Sequence, residues 1–272
     1  MGKIEDNSEK AEMGFLEHLE ELRWALIRSS IGILLAAIAA FVFYRFIFDS
    51  IILAPKSSGF LTNRILCTLA EKMGSSVLCI NTEHLNIINI NMAGQFNTHL
   101  MVSLYCGIIL AFPYIVYQGW SFIKPALYHE ERQRTRGAIF YISLLFIIGV
   151  LFGYYIISPL TIHFLGGYSI SSEVTNQINL SSYIASVVSV TLATGLLFEL
   201  PVLILFLTKA GIVTPSFLKK YRRHAFIVIM VVAAIITPPD VLSLLLVTFP
   251  LWLLFEVSIA VSARMYRKAK RT

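Results

Sequence analysis

Glu199 stands in the run GLLFELPVLILF, a carboxylate among apolar side chains with Pro201 two residues on. An acidic side chain in hydrocarbon costs on the order of 2.5 to 3.5 kcal/mol, so its presence points to a function, such as carrying a proton or binding a cationic substrate, against the alternative of a protonated or internally hydrogen-bonded structural Glu. A second acidic group, Glu17, Glu20 and Glu21, lies in FLEHLEELR at 15–23, where Phe15, Leu16, Leu19, Leu22 and Leu26 recur at helical spacing. The segment reads as an amphipathic helix on a membrane surface, with carboxylates that either pair with Arg23 and other basic side chains or await a cation. A third group ends the run WSFIKPALYHEER at 120–132, where an aromatic, proline-broken turn carries Glu130 and Glu131 beside Arg132, Arg134 and Arg136. Trp120, Phe122 and Tyr128 fit an interfacial aromatic belt as well as a binding surface, and spacing alone leaves both readings open.

Other chemistry is not indicated. The sequence has no P-loop, H-E-x-x-H or G-x-S-x-G, and its six histidines are scattered. Its three cysteines include no C-x-x-C pair. No metal, cofactor or enzymatic activity is expected. Cys67 and Cys79 enclose a short loop and form a candidate disulfide if that loop is extracytoplasmic, whereas Cys106 sits in an apolar run and reads as a packing residue.

The elements that position these groups follow from composition. The 272 residues are 57% hydrophobic and 14% charged, against about 25% charged in soluble domains. The chain is therefore an integral membrane protein, all-α, with its apolar runs at 25–47, 100–122, 137–160, 183–207, 225–236 and 241–260 as six expected spans. The fifth run is short for about 30 Å of hydrocarbon. Only Thr237, Pro238, Pro239 and Asp240 separate it from the sixth, a tight turn in which Asp240 is placed to cap the following helix.

With both termini in the cytoplasm, 18 of the 22 basic residues lie on the cytoplasmic side of these six spans, and Arg45, Lys56, Arg64 and Lys72 lie outside. That asymmetry fixes the orientation and accounts for the net charge of +6 without a nucleic-acid partner. One membrane domain covers 1–272, with a retained amphipathic segment at 1–24, a long external loop at 48–97 and a basic tail at 261–272. No internal repeat is visible.

Taken together, FLEHLEELR at 15–23, Ala54-Pro55, FPYIVYQGWSFIKPALYHEER at 112–132, FELPV at 198–202, TPPDV at 237–241 and LLFE at 253–256 closely resemble the TatC family over nearly the whole chain. The resemblance implies a concave six-span bundle in the bacterial inner membrane. It implies the signal-peptide receptor of the twin-arginine translocase, driven by the proton-motive force and partnered by single-span TatA- and TatB-type subunits, membrane lipid and further copies of itself. It assigns the binding of the signal's arginines to Glu21 and Glu131, with Phe122, Pro125, Leu127 and Tyr128 lining the same region and His18 and Arg23 flanking it. It assigns Glu199 to contact with the partners' helices. The chain departs from the family pattern at Leu244, where a polar residue is common, and in its long cysteine-bearing external loop. The competing reading is a proton-coupled secondary transporter using Glu199, which would require polar groups converging from several spans.

Overall fold

The computed structural model describes residues 15–73, 85–123, 135–171, 173–174 and 176–269. The apolar runs fold into helices: α1 (Phe15–Val42), α2 (Leu61–Met73), α3 (Gly94–Ile123), α4 (Thr135–Phe152), α5 (Ser158–Gly167), α6 (Leu180–Leu197), α7 (Leu200–Lys209), α8 (Pro215–Lys220), α9 (Arg222–Ile236) and α10 (Val241–Ala269). Five stretches are long and apolar enough to cross a membrane: His18–Val42, Gly94–Phe122, Gly137–Gly167, Leu180–Lys209 and Val241–Tyr266. The expected fifth span is α9, whose 15 residues extend only about 22 Å at 1.5 Å each.

Close approaches at glycine set how these helices pack. Where lipid surrounds a bundle, small residues let backbones meet and gain contact that bulkier side chains would prevent. A Cβ on Gly107 of α3 would stand 2.8 Å from the Ala37 Cβ and the Ile33 carbonyl oxygen of α1. One on Gly32 of α1 would stand 2.7 Å from the Tyr114 ring of α3. On α4, a Cβ at Gly149 would reach within 2.8 Å of the Thr194 carbonyl oxygen of α6. Two apolar clusters form the core, one around Val102, Ile184 and Val187, the other around Ile157, Val247 and Leu251.

The external end is held by hydroxyls bonded to backbone freed from regular helix. A π-helical segment at Ile47–Ile52 follows α1 and another at Gly153–Ile157 joins α4 to α5. The wider π turn leaves carbonyls open to other donors. Tyr154 donates its hydroxyl to the Ile51 carbonyl (2.8 Å) and Tyr183 to that of Ile52 (2.9 Å). Thr62 of α2 donates to the Tyr155 carbonyl. Buried Asn63 donates to the carbonyls of Ser57 (2.7 Å) and Pro55 (3.3 Å), so the Ala54-Pro55 turn and the external helix are tied together. A two-residue parallel pair, β1 (Ile87–Ile88) with β2 (Ile178–Asn179), links the first external loop to the loop before α6. That pair is an element the helical reading did not anticipate.

In the Thr237-Pro238-Pro239-Asp240 turn, the Ser243 amide donates to the Asp240 carboxylate at 2.7 Å, the expected cap of α10. Glu256 of α10 is partly exposed and pairs with Arg222 at the start of α9.

A methyl group added at Gly153 would meet the Thr194 hydroxyl and the Thr191 Cα at 2.9 Å. Gly153→Ala is therefore expected to lower the Tm of the detergent-solubilised protein by roughly 3 to 10 °C. Gly137→Ala, with nothing within 4 Å of the new carbon, is expected to leave the Tm unchanged in the same thermal scan.

Candidate functional site

The facing turns of α1 and α3, at the end where the sequence places the cytoplasm, enclose a cavity of about 300 Å³ lined by Glu20, Glu21, Trp24, Ala25, Arg28, Gln118, Ser121 and Phe122. Helical periodicity builds each wall. Glu21, Ala25 and Arg28 recur at three- and four-residue steps along α1, as Gln118, Ser121 and Phe122 do along α3. One carboxylate oxygen of Glu21 is buried with no hydrogen-bond partner. His18 stacks on Phe122 with ring centroids 4.3 Å apart, closing the contact between the two helices at this level.

The structure thus brings together Glu21 and Phe122, two of the expected site residues. Arg23 is exposed and does not line the cavity. Pro125, Leu127, Tyr128 and Glu131 lie outside the described residues. Trp24, Ala25, Arg28, Gln118 and Ser121 line the cavity without a binding role being expected of them from sequence, and Gln118 stands four residues before Phe122 on the same face. Gln118 is 6% exposed.

Glu199 occupies the break between α6 and α7, where Pro201 opens the new helix as expected for a residue without an N–H donor. Both of its carboxylate oxygens are buried and neither makes a hydrogen bond of regular geometry, the backbone of Phe146 being close enough only to interact weakly. Polar groups elsewhere in these helices are differently placed. Thr191 and Thr194 donate to carbonyls one turn back in α6, and Thr208 pairs with Ser262 at 2.9 Å. In α10, Leu244 packs at the edge of the apolar cluster rather than presenting a polar group. Of the candidate disulfide, Cys67 is disulfide-bonded and Cys106 is free, while Cys79 lies outside the described residues.

Residues 17–250 match the family model of the Sec-independent protein translocase protein TatC. The chain is 41% identical over 263 residues to a Sec-independent protein translocase protein TatC of Blattabacterium sp. subsp. Periplaneta americana, covering 96% of this chain and 99% of that one. It is 36% identical over 261 residues to the TatCy protein of Bacillus subtilis, covering 96% and 93% respectively. Among solved structures, the fold is similar to a twin-arginine translocase receptor, TatC, crystallised in DDM, with a TM-score of 0.69 at 32% identity over 90% of this chain and 99% of that one. A further TatC receptor crystal structure gives a TM-score of 0.65 over 91% and 98%.

The cysteine assignment has a direct check. With Cys67 bridged to Cys79, alkylation of the unfolded protein is expected to modify one thiol before reduction and three after it, read as a mass difference of two adducts. Equal masses with and without reductant would exclude the bridge.

Proposed function

The chain belongs to the TatC family of Sec-independent protein translocase proteins, and on that premise we propose that it is the receptor and core subunit of a twin-arginine translocation system. It binds the twin-arginine signal peptides of folded proteins and works with TatA- and TatB-type single-span subunits to export them on the proton-motive force. The role is non-enzymatic. The protein is multi-pass, and the proposed location is the bacterial inner membrane with both termini in the cytoplasm, as the distribution of basic residues favours. Crossing by α9 requires local thinning of the bilayer or snorkelling of its flanking Arg222 and Arg223.

The observation that carries this reading is the cavity between α1 and α3, lined by Glu21, one carboxylate oxygen of which has no partner, beside a stacked aromatic pair. A guanidinium offers a planar fork that matches a carboxylate with two parallel hydrogen bonds, which an ammonium cannot do. Glu21 and Glu131 supply one carboxylate for each arginine, with Phe122, Pro125, Leu127 and Tyr128 around them. Each charge-assisted contact contributes about 1.5 to 3 kcal/mol net, so two give roughly 3 to 6 kcal/mol before association costs. Micromolar affinity requires about 8 kcal/mol, so the apolar segment of the signal must bury against the spans as well. The buried carboxylate of Glu199, which makes no hydrogen bond of regular geometry, favours contact with a polar side chain on a partner's helix, since pairing within the membrane removes the cost of leaving it alone.

Binding of a labelled signal peptide to the protein in lipid nanodiscs tests this. Glu21→Ala and Glu131→Ala are each expected to weaken binding by at least about tenfold, and a twin-lysine peptide to bind the unaltered protein comparably weakly. Removing the signal's apolar segment is expected to abolish binding at micromolar concentrations. Indifference to both carboxylates and to the arginine-to-lysine change would reject the reading.

A further inference from the structure

Glu20 and Glu21 are consecutive on α1 and both line the cavity, and so does Arg28. Electrostatics along this wall depend on all three. Glu21 and Arg28 alone would cancel, presenting no net attraction to an arriving cation. The two carboxylates and one guanidinium among the described lining residues instead leave one net negative charge, and Glu20 is its source. A resident Arg28 also means that a single carboxylate shared with it would have fewer lone pairs free for a ligand.

Gln118 provides an independent sign that the cavity is built for a ligand. Its side chain is 6% exposed, lines the cavity and finds no hydrogen-bond partner among the described residues. Its amide is not among the enclosed, unpaired polar atoms, so it opens onto the cavity, where water or a ligand is left to satisfy it. A guanidinium carries five N–H donors in one plane, more than one carboxylate accepts, and can engage two carboxylates and an amide oxygen together. An ammonium carries three donors around a point and cannot span the same set in a plane.

We infer that Glu20 is a specificity-determining residue of this cavity, acting with Glu21 and the Gln118 side-chain oxygen on one arginine of the signal and leaving the other to Glu131. The inference rests on the receptor reading above and assigns one of its two arginine positions to a three-acceptor site. Glu20 is exposed, so Glu20→Gln alters its charge and acceptor geometry with little change in volume.

The test is a cycle of four signal peptides, Arg-Arg, Lys-Arg, Arg-Lys and Lys-Lys, titrated against the full chain and its Glu20→Gln variant in nanodiscs of fixed lipid composition. The expected result is about a tenfold loss of Arg-Arg affinity in the variant. One of the two single-lysine substitutions, but not the other, should lose most of its penalty there. A uniform weakening of all four peptides would overturn the inference, because it would reduce Glu20 to a general attraction. So would an unchanged Arg-Arg affinity. Failure of the unaltered protein to prefer Arg-Arg over Lys-Lys would overturn the receptor reading itself, and is distinguishable because it is seen before any variant is made.

Discussion

The close contact between α1 and α3 sets the geometry on which the site depends. Water provides no drive for helices to associate inside hydrocarbon, so they hold together through close packing and shared polar contacts. Here Gly107 lets α3 approach the Ile33 carbonyl and Ala37 of α1, and Gly32 admits the Tyr114 ring in return. With the two backbones locked midway along their length, the turns beyond Tyr114 must face one another. Gln118, Ser121 and Phe122 then stand opposite Glu20, Glu21 and Arg28. A side chain inserted at Gly107 would splay the pair and widen that cavity without touching any residue in it.

Satisfied polar groups tie the scaffold together. Thr191, Thr194 and Thr208 pair locally within the spans, whereas the hydroxyls of Ser143, Thr161 and Thr248 are buried without a partner, and the tyrosines of the external end find carbonyls released by π-helical turns. Glu256 has Arg222, and one oxygen of Asp240 caps α10. Glu21 and Glu199 keep buried carboxylate oxygen without a partner, as does the second oxygen of Asp240; Glu21 stands at the end of the bundle that carries the basic loops and Glu199 within the apolar span Leu180–Lys209. An unpaired carboxylate in such surroundings is costly, which is the ground on which Glu21 and Glu199 are proposed as contact sites.

Much of this architecture was legible in the residues because two signals are strong in membrane proteins. Twenty-residue apolar runs locate helices, and the Pro238-Pro239 pair marks the last turn as plainly as Pro201 marks the break at Glu199. Helix ends were less accurate. The third apolar stretch extends to Gly167 because the π segment at Gly153–Ile157 continues the helix across a wider turn, which hydropathy does not encode. The β1–β2 pair escaped notice because each strand has two residues and their partners lie far apart in sequence. In the site, carboxylates and aromatics announced themselves by type. Gln118 did not, since a glutamine within an apolar helix becomes informative only when its burial and lack of a partner are known. The Glu256 ion pair was hidden for a related reason, since it depends on α9 folding back against α10.

The central claim is that the signal's arginines are read between α1 and α3. The most direct measurement places a photoreactive benzoylphenylalanine at Ser121, in the wall of that cavity, or at Ser182, in a cavity at the external end, and exposes membranes containing each protein to a twin-arginine signal peptide. The account predicts capture from position 121 that excess unlabelled peptide suppresses, and none from position 182. Equal capture at both positions, or capture from 182 alone, would contradict it.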